Sequence, residues 1–352
     1  MKTEHILIIR FFAIGDVAMT VPVIYSLATQ YPNLRITVLS RPFAKPFFEN
    51  IAPNVSFMGA DVKGEYSGIK GLNTLYRRLI AKQFTCVADF HQVLRSNYLR
   101  LRFNMSHFRV EHINKHREGR KKLIAQDGKK LIQQPTETQN YADVLRKLGY
   151  PIQVKFTSLF PPEGGNIRLL PESIGVKKGF QQWIGIAPFA AHVSKTYPLE
   201  SMEKVIQLLI HRHPSCRIFL FGGKRGNEKK YMDNWNKKYP SCINASGLLQ
   251  SLDKELILMS HLDVMISMDS ANMHLASLVN IPVVSIWGAT HPYAGFMGWG
   301  QNPDNAIQLN LPCRPCSIYG NKSCLRGDYA CLINISPKMI ADRVDINLQR
   351  KK

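Results

Sequence analysis

The sequence predicts an α/β protein built from two domains, each with a parallel β-sheet. Apolar, β-branched segments alternate with segments of helical spacing, and this alternation restarts after a turn-rich break near residues 160–165. The length of 352 residues is also typical of about two domains. With 45% hydrophobic and 20% charged residues, the composition excludes a collagen-like, coiled-coil or wholly disordered chain.

The first half begins with a predicted buried strand. Residues 5–10 are mainly apolar and β-branched, as expected of a parallel strand that is covered on both faces. A turn at 11–16 leads into helical spacing at 17–29, and further strands are predicted at 34–40 and 86–90. We assign residues 1–162 to this first domain.

The second half repeats the pattern after a short break. The segment 160–165 is rich in proline and glycine, so a linker is predicted at 163–182 and a second domain at 183–352. Strands are predicted at 183–187, 216–221, 264–267 and 283–286, and helices at 199–213 and 252–260. Two successive α/β halves of similar size predict two Rossmann-like domains that face each other across a cleft.

The charge is strongly unbalanced. Lysine and arginine total 46 and aspartate and glutamate total 25, which gives a net charge of +21. Such a surface favours phosphates, nucleic acid or an anionic membrane face as partners. A basic segment, residues 95–130, contains Arg95, Arg100, Arg102, Arg109, Lys115, Arg117, Arg120, Lys121, Lys122, Lys129 and Lys130. It is either a solvated surface or, as we favour given the global excess, an anion-binding surface.

Membrane spanning is not expected from the sequence. The most apolar stretch, residues 6–27, is interrupted by Arg10 and Asp16, and a spanning helix needs about 20 predominantly apolar residues. No leader pattern precedes it, so a cytoplasmic location is expected. No long amphipathic helix with a strong apolar face stands out.

Gly15 and Asp16 lie where the first strand meets the first helix. Ligands of open α/β sheets bind outside the carboxyl ends of the strands, so this turn is a candidate site. A single glycine followed by an acid does not fit the G-x-G-x-x-G turn of a dinucleotide site, which argues against a nicotinamide-dependent oxidoreductase. Asp16 is either a helix cap or a general base held at the cleft.

The second half carries residues suited to a sugar nucleotide. Lys195 follows a predicted strand and could meet a diphosphate as a point charge, or it is an ordinary surface lysine. Gly222 and Gly223 follow the next strand and would let a ligand approach the backbone. Glu228 could accept hydrogen bonds from ribose hydroxyls or simply begin a helix.

A third strand end adds a helix start. Asp269 and Ser270 can cap a helix whose free N–H groups point at a phosphate. His274, one turn further on, is either a core residue or a lining residue of the cleft. Each signal is weak alone, but their order and their positions at strand ends make the set moderately specific.

Four of the seven cysteines fall close together near the end of the chain, at Cys313, Cys316, Cys324 and Cys331. Four thiolates could hold a structural zinc ion, but buried free cysteines are common and the second CxxC of a zinc ribbon is missing. A zinc ion here would order the loop and take no part in a reaction. Cys86, Cys216 and Cys242 have the sequence surroundings of core residues.

Several blocks in order resemble glycosyltransferase family 9, the ADP-heptose:lipopolysaccharide heptosyltransferases. The blocks are Gly15-Asp16 with Pro22, residues 88–96, Pro188 with residues 194–198, residues 269–276, residues 282–290, and the late cysteines followed by residues 335–337. The blocks at residues 269–276 and 282–290 are the most specific of these.

The resemblance implies a GT-B fold, with the acceptor on the first domain and the sugar nucleotide mainly on the second. It implies an inverting transfer of heptose from an ADP-sugar to the lipopolysaccharide inner core, with no metal required for catalysis. Asp16 takes the catalytic-base position and Lys195 the position that meets the donor phosphates. Donor-binding residues would be Lys195, Glu228, Asp269, Ser270, Ala271, His274, Gly222 and Gly223. Acceptor-binding residues would be Gly15, His91, Arg95, Arg117 and Arg120.

The expected partners are an ADP-sugar donor and a lipid A–inner-core acceptor at the cytoplasmic membrane face, where basic surfaces are attracted to anionic lipid. Ala271 replaces a glycine that is usual in the family, and Phe189 departs from its usual Pro-Gly-Ala block. A transferase that uses another nucleotide-sugar donor is therefore the nearest alternative. A basic nucleic-acid-binding protein is a second alternative, but the sequence contains no recognisable binding module.

Overall fold

The computed structural model describes residues 4–349, which form strands and helices in regular alternation. The strands are β1 (His5–Ile9), β2 (Arg35–Ser40), β3 (Val55–Gly59), β4 (Cys86–Asp89), β5 (Arg109–His112), β6 (Trp183–Ala187), β7 (Arg217–Leu220), β8 (Cys242–Asn244), β9 (Val264–Met268), β10 (Val283–Ile286) and β11 (Ala306–Ile307). The helices are α1 (Ile14–Ala18), α2 (Val21–Gln30), α3 (Lys45–Phe48), α4 (Gly68–Ile80), α5 (Leu94–Met105), α6 (Arg117–Leu123), α7 (Glu137–Lys147), α8 (Leu199–Arg212), α9 (Gly226–Lys238), α10 (Ala245–Leu248), α11 (Leu252–Ser260), α12 (Ala271–Leu278), α13 (Ala330–Ile333) and α14 (Pro337–Gln349).

The first sheet has the strand order β3-β2-β1-β4-β5, and its strand pairs are all parallel. Every residue of β1 is buried, in agreement with its mainly apolar sequence. β1 has β2 on one side and β4 on the other, with Ile9 level with both Leu39 and Asp89. The chain therefore reverses its winding direction at β1, and the turn after this strand lies at the switch point where α/β sheets bind ligands.

The second sheet has the order β11-β10-β9-β6-β7-β8 and is also parallel. Here the winding reverses between β6 and β9, which pair directly with Ala187 level with Ser267. The loops that follow these two strands consequently begin side by side. The core of this unit includes Ile184, Ile266 and Ile286 from the sheet, with Val205 and Val344 from helices packed on it.

The chain divides into two compact units. One contains the residues up to Lys115 together with Pro135–Leu159, and the other contains His116–Gln134 together with the residues from Phe160 onward. The segment 116–134 therefore packs with the second unit and not with the first, to which residues 1–162 were assigned from the sequence. Its Leu123 is buried against Ala294 and Ile318 of that unit, a contact between residues distant in sequence.

The segment predicted as a linker, 163–182, belongs to the second unit and is anchored along its length. The Gly165 N–H donates to Ser260 at 2.9 Å, and the Lys177 ammonium pairs with Asp263 at 2.6 Å. It is thus ordered structure and not a free connection. Within residues 4–349, no helix is both long enough and apolar enough to cross a bilayer.

The predicted α/β class and the strands at 183–187 and 283–286 are confirmed, as is the helix at 252–260. The helix expected at 17–29 is two helices, α1 and α2, which are separated near Thr20. Four short strands, β3, β5, β8 and β11, were not predicted. They are the edge strands of the two sheets, and they are either partly exposed, as β3 and β5 are, or only two or three residues long, as β8 and β11 are.

Candidate functional site

The site in the first unit is built at the end of β1. Asp16 is the third residue of α1, and its carboxylate accepts a hydrogen bond from the Ala13 N–H at 3.2 Å. Asp16 is therefore a helix-cap residue in its local geometry. The same carboxylate oxygen lies 2.5 Å from the guanidinium of Arg10, so Asp16 is also half of an ion pair. Gly15, directly before it, is buried.

Arg10 holds Asp16 from the protein interior. Its guanidinium is almost fully buried and donates to the Phe90 carbonyl oxygen at 2.7 Å, whereas the Asp16 carboxylate is 30% exposed. Burial lowers the pKa of Arg10, but the charge of Asp16, together with smaller effects of Tyr141 and Glu137, outweighs burial and the pKa is raised. A fixed cation thus orients a partly exposed carboxylate, which is the arrangement that a positioned base requires.

His91 is buried beside this pair. The Phe11 N–H donates to Nδ1 of His91 at 3.5 Å, and the backbone N–H of His91 donates to the Asp89 carboxylate at 2.9 Å. Burial, followed by the charges of Arg10, Lys115 and Arg95, lowers the pKa of His91 to about 2. His91 is consequently a neutral ring in the folded protein, suited to hydrogen bonding and not to carrying charge. The effect of Arg95 on this pKa places its charge near His91.

Arg117 and Arg120 lie in the second unit and not in the first, where they were predicted. Both belong to α6, in the segment that packs with the second unit. The Arg120 guanidinium is buried, lies 4.6 Å from the centre of the Phe296 ring and is 3.4 Å from the Tyr319 hydroxyl. Its contacts are those of a packing residue, because a cation against an aromatic face is stabilised within the protein.

The site in the second unit lies at the β6–β9 switch point. Lys195 ends the short turn Val193–Lys195, and its ammonium lies 3.1 Å from the Asp269 carboxylate. Both side chains are largely buried. The loop after β6 and the start of α12 are therefore joined by an ion pair, and they bring together two residues that are 74 positions apart in sequence.

The start of α12 is open at the backbone. Ser270 is its N-cap residue with extended backbone angles, but its side chain makes no capping hydrogen bond and instead lies 3.3 Å from the Ser267 hydroxyl. Ala271 is the first residue of the helix. The N–H groups of the first turn and the positive end of the helix dipole favour an anion here. His274, one turn further on, is buried.

In the glycine turn after β7, the backbone N–H groups are bound by neighbouring side chains. Glu228, in the first turn of α9, accepts a hydrogen bond from the Gly223 N–H at 2.7 Å. The Gly222 N–H donates to the Ser246 hydroxyl at 2.8 Å. A Cβ at position 222 would lie 2.9 Å from the ring of Phe189, so only glycine lets that ring approach the turn. Gly222, Gly223 and Glu228 are thus brought together, with Phe189 beside them.

Gly320, which the sequence analysis did not single out, supports Lys195. Its φ is +77°, and its carbonyl oxygen accepts a hydrogen bond from the Ser194 hydroxyl at 2.5 Å. A Cβ at position 320 would lie 2.5 Å from Cγ of Lys195. The lysine stem therefore lies directly over this glycine. Arg10 was also missed, although a lone arginine at the end of an apolar strand is a detectable signal.

The four late cysteines line one small cavity of about 20 Å³, together with Arg314 and Tyr329. Burial raises the pKa of Cys316, and the neighbouring Cys313 and Cys324 raise it further, which places these thiols close together. Nevertheless, across residues 4–349, no three or more His, Cys, Asp and Glu side chains are grouped so that they could hold a metal ion. The four thiols are present as a donor set, but they are not arranged as a metal centre.

Lys129 ties the segment 116–134 to this cysteine loop. Its ammonium donates to the carbonyl oxygens of Pro312 at 3.2 Å, Cys313 at 2.8 Å and Pro315 at 3.0 Å. One side chain thereby satisfies three backbone acceptors of an irregular loop.

Comparison with known proteins shows similarity to one family of glycosyltransferases. The model of glycosyltransferase family 9 (heptosyltransferase) matches residues 73–324. The chain is 25% identical over 319 residues to lipopolysaccharide heptosyltransferase 3 of Escherichia coli, with 84% of this chain and 85% of the relative covered. It is 23% identical over 304 residues to lipooligosaccharide heptosyltransferase 2 of Haemophilus influenzae, with coverage of 82% and 84%.

The fold is similar to that of a solved structure, E. coli ADP-heptose lps heptosyltransferase II. The TM-score is 0.68 at 17% identity, and 99% of each chain is covered. This likeness identifies the two parallel-sheet units as the Rossmann-like domains of a GT-B fold. Because the family model spans more than half of the chain, the protein belongs to glycosyltransferase family 9 and is a glycosyltransferase.

Proposed function

We propose that the protein transfers a heptose from ADP-heptose to the inner core of lipopolysaccharide, with inversion and without a catalytic metal. The observation that carries this proposal is the pair of switch-point sites, a carboxylate fixed by Arg10 in one unit and Lys195 at an open helix start in the other. Family membership and the heptosyltransferase activity named for its relatives support the choice of sugar.

Asp16 is proposed as the general base. An inverting transfer needs a group that removes the proton from the acceptor hydroxyl on the face opposite the leaving nucleotide. A carboxylate serves, provided that its position is fixed and one oxygen can reach the acceptor. Arg10 fixes the side chain from the buried side, and the remaining exposure of Asp16 leaves it accessible. His91, Gly15 and Arg95 are proposed to contact the acceptor.

Lys195 and the first turn of α12 are proposed to hold the donor diphosphate. Negative charge grows on the diphosphate as the glycosidic bond breaks, and preorganised N–H groups and an ammonium stabilise it. Asp269 holds the Lys195 ammonium before the donor arrives. Glu228, Gly222 and Gly223 are proposed to contact the nucleoside, while Ser270, Ala271 and His274 complete the donor-site helix.

Calorimetric titration without added metal tests the donor site. We expect saturable binding of ADP, weaker or no binding of UDP and GDP, and loss of ADP binding in Lys195→Ala. Preferential binding of UDP or GDP would keep the transferase but assign it another donor. The absence of binding to all three nucleotides by the folded protein would contradict the proposed donor site.

Turnover of ADP-heptose with an inner-core acceptor tests the base. Asp16→Asn should reduce kcat by about 100-fold or more, the range expected for loss of a general base, and should leave ADP affinity unchanged. Asp143→Asn is the matched control, since this carboxylate of the same unit makes only surface ion pairs with Arg146 and Lys147. Retained turnover in Asp16→Asn would reduce Asp16 to a helix cap.

The acceptor proposed here is the lipid A–inner-core molecule at the cytoplasmic face of the membrane. The protein would then work in the cytoplasm and associate with that face from the surface. The net charge of +21 supports this placement, because the lipid surface and the phosphates of the inner core are both anionic.

We also propose that Cys313, Cys316, Cys324 and Cys331 hold a structural zinc ion, for which four thiolates are a complete ligand set. Their shared cavity supports this idea, although the side chains would have to turn toward one point. Metal analysis of the purified full chain tests it, with one zinc per chain expected and loss of that zinc in Cys313→Ser/Cys316→Ser. A metal-free protein whose four thiols all react with a thiol reagent would contradict it.

A further inference from the structure

Helix α5 carries a stripe of large apolar side chains that no part of the described chain covers. Leu94 is 88% exposed, Leu101 is 57% exposed and Met105 is 68% exposed. Because these residues are spaced by seven and four positions, they lie on one face of the helix. We call this set the α5 outer face.

The opposite face of the same helix is also apolar. Leu99 and Phe103 are fully buried in the core of the first unit. A helix that is apolar on two sides shows little overall amphipathicity, which explains why the sequence did not reveal the outer stripe. Folding assigns one apolar face to the core and leaves the other in water.

The surroundings of the α5 outer face are basic. α5 packs beside α4, and the Arg102 guanidinium donates to the side chain of Asn73 at 2.9 Å across the two helices. The two helices together contain Lys70, Arg77, Arg78, Arg95, Arg100 and Arg102 and no acidic residue. An exposed apolar stripe on a pair of helices that carry basic but no acidic residues is the composition of an interfacial membrane-binding surface.

A lipid surface explains this combination better than a nucleic acid does. Nucleic acids without sequence preference are bound by cations and by exposed aromatic rings that stack on bases. The α5 outer face presents aliphatic side chains instead, and Phe103 of the same helix is buried. Leucine and methionine gain by leaving water for acyl chains, while arginines remain level with lipid phosphates.

We propose that the α5 outer face docks the first unit on an anionic bilayer, with Leu94, Leu101 and Met105 inserted at the headgroup–acyl boundary. This inference rests on the proposed function, because a transferase that acts on a lipid-linked acceptor must meet it at the bilayer. The placement is suitable, since Leu94 begins α5 only three residues after His91 of the candidate acceptor site. Docking by this helix would bring that site close to the membrane.

Vesicle co-sedimentation of the full chain tests the proposal. The probes are vesicles of phosphatidylcholine and vesicles that also contain phosphatidylglycerol, each at low and at high salt. The test variant is Leu94→Ser/Leu101→Ser/Met105→Ser. The matched control is Leu169→Ser/Val176→Ser/Phe180→Ser, which removes three comparably exposed apolar side chains (57%, 76% and 66%) from the second unit.

We expect wild type and control to bind the anionic vesicles, with binding to neutral vesicles much weaker. The test variant should bind anionic vesicles about tenfold more weakly at high salt, where insertion and not charge holds the protein. Equal binding by the test variant and wild type would overturn the proposal. Binding of duplex DNA with the same dependence on the α5 outer face would also overturn it, in favour of a nucleic-acid surface.

Transfer to a delipidated core oligosaccharide separates this proposal from the proposed function. Such an acceptor needs no membrane, so the test variant should retain wild-type turnover on it. Failure of wild type to turn over this acceptor would count against the proposed function, whereas the vesicle result would stand independently. Loss of turnover on this acceptor by a test variant whose urea unfolding matches wild type would overturn the assignment of the stripe to docking, because the stripe would then serve the reaction itself.

Discussion

Gly320→Ala should displace the side chain of Lys195 although Lys195 itself is unchanged. The new Cβ would lie 2.5 Å from Cγ of Lys195, which is closer than any carbon–carbon contact allows. The lysine stem must therefore move away from position 320. Its ammonium would then leave the position 3.1 Å from Asp269 that we assign to the donor diphosphate.

The magnitudes of the two expected effects differ in origin. An alanine at φ +77° costs about 1–2 kcal/mol of folding free energy because its Cβ is crowded in the left-handed region. A hydrogen bond to a charged group contributes about 1.5–3 kcal/mol. Loss of the Lys195 contact with a diphosphate should therefore weaken ADP binding about tenfold to a hundredfold.

Titration calorimetry and urea unfolding measure the two effects separately. The matched control is Gly327→Ala, where φ is +78° and a Cβ would meet no atom within 4 Å. It should lose similar stability but keep ADP affinity within about twofold, since only the backbone cost applies. In a double-mutant cycle, Gly320→Ala should weaken ADP binding by little or nothing once Lys195→Met is present, because both act through one ammonium.

Unchanged ADP affinity in Gly320→Ala would refute this reasoning. It would mean either that Lys195 reaches the same point from another rotamer or that the diphosphate is held elsewhere. Wild-type affinity in Lys195→Met would distinguish the second case from the first.

Three further predictions concern polar side chains that are buried or bound to the backbone. Arg10→Met should lower kcat, and it should lower the free energy of unfolding by about 2–4 kcal/mol, because the part-buried Asp16 carboxylate and the Phe90 carbonyl lose their cation. ADP affinity, measured by calorimetry, should not change. An unaltered kcat would contradict the role given to Arg10. The pKa of His91 is about 2 in the folded protein and 6.5 in the unfolded chain, so the unfolded chain binds one more proton between these pH values. The free energy of unfolding should therefore decrease by about 1.4 kcal/mol for each unit by which the pH is lowered below 6.5. Urea unfolding at several pH values should show a pH dependence that is weaker by this amount in His91→Gln, and an identical pH dependence in wild type and variant would refute the prediction. Lys129→Met should lower the free energy of unfolding by about 1–2 kcal/mol, because three loop carbonyls lose their donor. In the control Lys130→Met, which changes an exposed neighbour, the free energy of unfolding should stay within about 0.5 kcal/mol of wild type. Equal effects of the two substitutions would show that the Lys129 contacts contribute nothing to stability.

The central strands of both sheets could be predicted from the sequence. Strands β6 and β10 were predicted to the residue because every residue in them is buried and nearly all are apolar. The edge strand β8 was missed, since its three residues carry too little pattern to separate it from a loop. The order of the strands within each sheet was also beyond the sequence, because parallel strands with similar apolar runs do not specify their neighbours.

The candidate site, too, could be predicted only in part from the sequence. Asp16 and Lys195 were singled out because each lies close to the end of a predicted strand, and their roles followed from the resemblance to the family. Their partners, Arg10 and Asp269, were not predicted as partners. Ion pairing depends on where side chains meet after folding, and the 74 positions between Lys195 and Asp269 contain no local signal of that contact.

The sequence by itself determined the α/β class, the two-unit plan, the cationic surface and the residue types at the strand ends. These properties follow from periodicity and composition, which are local and survive in any chain with the same pattern. The tertiary structure alone decided that 116–134 packs with the second unit, that Gly320 supports Lys195 and that α5 exposes Leu94, Leu101 and Met105. Each of these depends on which of several possible apolar surfaces is buried, and that choice is made by packing between residues distant in sequence.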